Sequence, residues 1–324
     1  MDKQTYLIIL LGGQLTLIGL DLRMRFWGGN RYYDTDRLPQ SVLLLCLTII
    51  VYGSLQFGGL ALVPNAGELL VTSQDFVRDH IATSGDRGLM STAGLAVLGI
   101  VSFYLAGLCD YLFHRYVSHS RLLWFTHENH HLPTDVSAFM PGMCVRPFAV
   151  VVVVPTAAVI IFSTQTVVGL MGYAATDLMP LLYGVILVQT SILGITHSCF
   201  LRRQWWLHRL LKPLGITTPQ EHWLHHTSDL ECNYGNFITL WDRVFGTYVD
   251  PVTVSSGEHR AGLAYDQDFL GAITAGNLKL SNRVRRYFGV KQFCYLDSAY
   301  SIARPTILRT PPISASSIAS KNGE

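Results

Sequence analysis

Residues 114–131 read HRYVSHSRLLWFTHENHH, and they follow directly on an apolar stretch from Gly88 to Phe113. A run of that length takes a helix across a bilayer, which needs about 20 residues. The histidines begin where the run ends. His114, His119, His127, His130 and His131 fall in this stretch, and the chain repeats its closing pattern as HWLHH at residues 222–226 (His222, His225, His226), with a lone His197 between. In each HxxHH the histidines stand at i, i+3 and i+4, on one face of a helix, so each triplet is expected to present three converging nitrogens. His114 and His119 are five apart. An ideal α-helix would turn those two rings away from each other, so the helix is expected to end or loosen there. Nine of the twelve histidines belong to this ordered series. Imidazole is the commonest protein ligand for iron, zinc and copper, and so dense a cluster is costly to gather without a metal, so the series reads as a metal site.

The surroundings are those of a membrane protein. The 324 residues are 49% hydrophobic and 14% charged, with a positive mean hydropathy that is unusual in a soluble chain of this length. A net charge of +2 without a long basic or acidic run gives no footprint for nucleic acid. Cys46, Cys109, Cys144, Cys199, Cys232 and Cys294 form no CxxC pair, and Cys109, Cys144, Cys199 and Cys232, near the histidine motifs, read as small packing residues in a reducing compartment. The apolar stretches are Tyr6 to Leu20, Ser41 to Val63, Gly88 to Phe113, and Val145 to His197, the last long enough for two passes turning around Ser163 to Thr166. The expected fold is therefore an all-α integral membrane protein of about four to five transmembrane helices. Lys3 makes a weak basic n-region and no small-residue cleavage site precedes Asp21, which argues for an uncleaved first segment.

Arg23, Arg25, Arg31 and Arg37 crowd the loop after the first segment, which the positive-inside rule makes cytoplasmic. Alternation then puts the acidic loop from Pro64 to Arg87, with Glu68, Asp75, Asp79 and Asp86, on the far side. All three histidine clusters return to the cytoplasmic face, of a bacterial inner membrane or of the endoplasmic reticulum. The chain divides into N-terminal membrane segments at 1–87, a histidine-bearing domain at 88–250, and a polar extension at 251–324. The tail from Ile302 to Glu324, rich in Ser and Pro, is expected to be disordered.

The order HRxxxH, HxxHH, lone His, HxxHH resembles the fatty acid hydroxylase and sterol desaturase superfamily of membrane di-iron oxygenases. Asn233-Tyr234-Gly235-Asn236, the run Leu240-Trp241-Asp242-Arg243-Val244-Phe245-Gly246-Thr247, and Thr218-Pro219-Gln220-Glu221 before His222 are similar to further signatures of that family. The resemblance covers roughly the third span through Asp250. It implies a four-helix membrane domain under a cytoplasmic helical cap, with His114, His119, His127, His130, His131, His197, His222, His225 and His226 holding two irons that activate O2 for hydroxylation of a lipid. Fatty acyl chains, sphingoid bases, sterols and carotenoids or other terpenoids all fit. Desaturation begins with the same hydrogen abstraction and shares the ligand set. Where some relatives carry another histidine, four residues after the lone one, this chain has Leu201, so His208 or a water on Asn233 stands as a candidate tenth ligand.

Each ligating imidazole needs its other nitrogen fixed. Asp110, one turn before His114 at the end of an apolar span, is placed to do this, with Glu128, Glu221, Asp229 and Asp242 as further candidates. Arg115 reads as an interfacial arginine, Trp205, Trp206 and Trp223 as aromatics at the membrane surface or a lipid entrance, and His80 and His259 as ordinary surface histidines, while a turn in the hairpin between the fourth and fifth spans explains Asp177 as well as any role does. There is no GxGxxG fingerprint after a strand, haem segment or CxxC iron–sulfur motif, so no bound organic cofactor is expected. Electrons must then come from a ferredoxin, a cytochrome b5 or a flavin reductase, docking at Arg202, Arg203, Arg209 and Lys212. Two rival classes fit less well. A membrane metal carrier or sensor would put histidines or acids inside its spans, and a zinc hydrolase would need an open three-ligand site with a base, as in HExxH.

Overall fold

The computed structural model describes residues 3–27, 38–57, 92–133, 146, 149–170, 179–227 and 231–254, with pieces of 72–80, 136–138, 261–263 and 267–281. Among these residues the chain is helical, with no strand and only two isolated bridges, Ile216 to Ile238 and Thr227 to Ala261. Five helices are long: α1 (Lys3–Trp27), α2 (Leu38–Phe57), α3 (Thr92–Phe113), α5 (Val150–Leu170) and α6 (Met179–His197). Shorter ones follow the histidines: α4 (Trp124–His131), α7 (Cys199–Arg202), α8 (Trp205–Leu211), α9 (Pro219–His225), α10 (Leu240–Val244) and α11 (Phe269–Ile273). Among the described residues, Ala96–Ser118 and Val151–Leu170 are long and apolar enough to cross a membrane, and Val42–Val51 is a shorter apolar segment.

The expected apolar stretches become helices with shifted edges. The first extends from Tyr6–Leu20 to Lys3–Trp27, and the third starts at Thr92; residues 58–63 and 88–91 lie outside the described residues. The turn expected around Ser163 to Thr166 is not there, because α5 runs straight through it to Leu170. The polar residues that suggested a turn are satisfied inside the helix: Thr164 and Thr166 donate their hydroxyls to the carbonyls of Ile160 and Phe162, at 2.8 and 2.9 Å. Asp177 falls in 171–178, outside the described residues.

α3 packs along α5 and against α6, and α1 lies along α6. The short helices sit at the end of this bundle. α4 meets the end of α3, α9 meets α6 and α7, and α10 returns to α3. One core joins the two parts: Phe103, Val185 and Ile192 of the long helices close on Ile238 of the returning loop, with Tyr104, Leu240 and Trp241 around them. Trp241 donates its indole N–H to the Tyr104 carbonyl at 2.9 Å. Gly107 allows this approach, since a methyl group there would run into the Ile238 side chain.

Candidate metal centre

The end of α3 carries the first pair. From His114 to Ser118 the helix widens into a π-helix, and the His119 N–H bonds the His114 carbonyl, an i to i+5 step, at 3.1 Å. A π-turn brings residues five apart onto one face, where an α-helix would separate them. The two Nε2 atoms therefore stand 3.3 Å apart. The first triplet lies on α4, which reaches back onto the π-turn. The second triplet is set by a capping box: the Thr218 hydroxyl accepts the Glu221 N–H, the Glu221 carboxylate accepts the Thr218 N–H, and Pro219 occupies the first turn. His197 closes α6.

The nine histidines form two adjacent groups. His114, His119, His127, His131 and His225 make one, and His130, His197, His222 and His226 the other, with the candidate ligand atoms of each group within 4.8 Å of one another. Neither triplet converges on one point, contrary to the reading of the spacing alone. α4 gives His127 and His131 to the first group and His130 to the second, while α9 gives His225 to the first and His222, with His226 at its end, to the second. The physical reason is angular: around a helix i+4 lies about 40° to one flank of i and i+3 about 60° to the other, so the i+3 ring stands about 100° from the i+4 ring. Each helix thus serves two centres side by side, and the His131 ring stacks on the His226 ring at 4.4 Å.

The donor set fits metal ions. Nε2 meets Nε2 at 2.9 Å for His114 and His127, 3.0 Å for His197 and His130, 2.9 Å for His222 and His197, and 3.2 Å for His226 and His222. Imidazoles sharing an ion at about 2.1 Å stand about 3.0–3.4 Å apart. The tautomers agree. His114, His197 and His225 donate Nδ1–H to the carbonyls of Tyr234, Leu193 and Cys232, at 2.5, 2.8 and 2.8 Å, which leaves each Nε2 as a bare lone pair. His225 Nε2 and both nitrogens of His131 are buried without a hydrogen-bond partner. Burial, with the mutual repulsion of neighbouring rings, holds His119, His127, His130, His131, His222 and His226 well below the ordinary imidazole range, and burial does the same to His225. They are neutral at physiological pH, the form that binds metal. Trp124, fully buried, walls the first group, 5.1 Å from the His119 ring and 5.3 Å from the His131 ring. Of the nine, His127 alone is partly exposed.

Carbonyls, not carboxylates, are the direct partners of these rings. Asp110 accepts the Asn236 N–H and side-chain amide, at 3.1 and 3.0 Å, and bonds no histidine. It holds the loop whose Tyr234 carbonyl receives His114. Asp242 grips the same loop through the N–H groups of Tyr234 and Gly235, at 2.7 and 2.9 Å, and burial pushes its carboxyl up to about 7. Glu128 pairs with buried Arg146 at 2.7 Å, and Glu221 serves its capping box and accepts the Tyr248 hydroxyl at 2.8 Å. Asp229 lies outside the described residues. Asn233, at φ 50°, spends its side chain on the carbonyls of Glu221 and Val249 and on the Val249 N–H. His208 lies outside both groups, with Nδ1 2.9 Å from the Thr218 hydroxyl.

Arg115 is held among aromatics: it donates to the Tyr111 hydroxyl at 2.6 Å and lies over Tyr116 and Tyr234. Trp205 and Trp206 are exposed, whereas Trp223 packs on Val136 beneath the Arg202 guanidinium. Of the basic cluster, Lys212 pairs with Asp250, and Arg203 and Arg209 are exposed. His80 bonds the Phe76 carbonyl of its own turn, and Cys46, Cys109, Cys199 and Cys232 form no disulfide. His259, Cys144 and Cys294 lie outside the described residues.

Three supports had not been singled out in the sequence. Arg146, fully buried, ties Glu128 and the Phe125 carbonyl of α4 to Gln267. Asp21 of α1 is buried against the segments that follow α4 and α6. Past Asp250, the Gly262 N–H bonds the His226 carbonyl at 3.0 Å. Asp21 did carry a signal, an acid near the end of an apolar helix, which is the pattern that drew attention to Asp110. Gln267 carried none.

Residues 99–247 match the sequence model of the fatty acid hydroxylase family. Over 163 residues the chain is 27% identical to alkylglycerol monooxygenase of Danio rerio, and over 148 residues 26% identical to that of Xenopus tropicalis. These alignments cover 48% and 43% of this chain but only 30% and 28% of the two relatives, so the chain spans less than a third of the curated proteins it matches. No solved structure gives a significant match. The matched segment contains all nine clustered histidines together with the loop and cap that orient them, and it is through this segment that the chain is similar to the fatty acid hydroxylase/sterol desaturase superfamily.

Proposed function

We propose that the protein is an O2-dependent lipid hydroxylase whose nine clustered histidines hold two non-haem irons. The observation that carries this reading is the pair of adjacent groups, five and four imidazoles, with their Nε2 atoms at the spacing of shared ligands. When bound, two irons supply O2 activation for attack on an unactivated C–H bond, and the protein contributes position and tuning. Carbonyl partners fix the tautomers of His114, His197 and His225. Trp124 keeps water from one wall, and the partly exposed His127 marks the side from which the first group is reached.

Hydroxylation consumes a C–H bond, O2, two electrons and two protons, and yields an alcohol and water. The electrons come from a separate donor, a ferredoxin, a cytochrome b5 or a reductase, for which exposed Arg203 and Arg209 offer a basic landing site. If reversing both charges left turnover unchanged with that donor, the landing site would be wrong. The five long helices support a membrane domain of four to five spans, with the histidines on its cytoplasmic side by the positive-inside rule. Because the curated relatives are named alkylglycerol monooxygenases, ether lipids of that class are the first substrates to offer. The full chain in liposomes, with reductant, 18O2 and an alkylglycerol, should place one 18O atom in the lipid. A dehydrogenated product without label would make it a desaturase; neither product from any lipid class would overturn the reading.

A further inference from the structure

Asp21 lies in α1, outside the segment that matches the family, and is 2% exposed. Its two oxygens take five donors. Oδ1 accepts the Ser198 hydroxyl at 2.7 Å and the Phe200 N–H at 3.1 Å. Oδ2 accepts the Ala138 N–H at 2.8 Å, and the Ser137 hydroxyl and the Cys199 N–H at 3.3 Å each. Ser198, Cys199 and Phe200 follow His197 without a gap, at the break between α6 and α7. Ser198 also caps α7, accepting the Leu201 N–H at 3.2 Å. His197 is thus fixed on both sides: its ring by the Leu193 carbonyl within α6, and its onward chain by Asp21. All five partners are donors. Only a group that accepts at both oxygens suits the place, and an asparagine would turn its own N–H groups against them.

We propose that Asp21 is a positioning residue for the second centre: the N-terminal helix clamps the chain behind His197, and the metal held by His130, His197, His222 and His226 depends on that clamp. The proposal rests on the two-metal reading. The second group has four nitrogens against five in the first, so a displaced His197 weakens it more. The full chain in detergent is titrated with Co(II) and followed by its ligand-field bands. Wild type should take up two ions. Asp21→Asn should keep the first and bind the second about 10-fold more weakly, the low end of the range for losing a ligand's direct outer partner, because Asp21 holds the chain next to His197 and not its ring. Ser198→Ala, which removes one of the five donors, should weaken the same ion by less. Gln14→Ala is the control: Gln14 joins α1 to α6 through the Thr190 carbonyl at 3.0 Å, away from the clamp, and both ions should stay. Two ions of wild-type affinity in Asp21→Asn, or equal loss of both, would overturn the proposal and leave the two-metal reading intact. Fewer than two ions in wild type would overturn both.

Discussion

His222 and His225 are one turn apart on α9 yet belong to different groups, which makes them a sharp pair of perturbations. His222 Nε2 stands 2.9 Å from that of His197 and 3.2 Å from that of His226, so His222→Ala removes one of four donors from the second group. His225→Ala removes one of five from the first and also frees the Cys232 carbonyl. Losing a partner outside the ligand shell costs about 10–100-fold in metal affinity, and a ligand itself should cost more than the top of that range, above about 2.7 kcal/mol. His222→Ala should therefore hold one metal per chain after dialysis against a chelator that leaves wild type with two. His225→Ala should lose the first metal more gradually, because four nitrogens remain. Elemental analysis across a chelator series reads both. If the two variants lost both metals in parallel, or each kept two, the division of the triplets between two centres would be refuted.

Acid should release the metals. The seven histidines held below the ordinary imidazole value of about 6.5 stay neutral in the folded chain but take up protons when unfolded, so stability and metal binding are full above that value and fall as pH drops through it. Each contributes up to about 1.4 kcal/mol per pH unit, and metal content measured from pH 7.5 to 5 (about neutral to mildly acid) should drop steeply; a flat profile would contradict buried neutral ligands. Arg146→Met should destabilise by about 3–5 kcal/mol, since it takes the cation away from the buried Glu128 carboxylate. Adding Glu128→Gln should recover part of that loss in a thermal melt. Thr218→Ala should cost about 1 kcal/mol as a lost helix cap, with metal content falling at both centres because α9 feeds both. Gly107→Val should loosen the returning loop by about 1–3 kcal/mol through overpacking against Ile238, read as a lower melting temperature.

The sequence made most of the candidate ligands visible because metal ligation demands one residue type at helical spacing. The five-residue gap between His114 and His119 even signalled an irregular helix, and the π-turn is that irregularity. What spacing did not carry was the split of each triplet, which depends on where two centres lie in space and not on one helix. The orienting groups were harder to read for a different reason. Backbone carbonyls of Tyr234, Leu193 and Cys232 leave no mark in a side-chain pattern. The acids that were visible, Asp110 and Asp242, act one step back by shaping the 234–236 loop. The misplaced turn at Ser163 to Thr166 has the same origin: polar side chains that bond their own helix look like a break in the apolar run.

The two-iron oxygenase is tested most directly by the iron and oxygen balance of the full chain purified under iron-replete conditions. About two irons per chain are expected, the number of histidine groups, with O2 uptake that requires both a reductant and a lipid. A single tightly held zinc with no O2 uptake would contradict it.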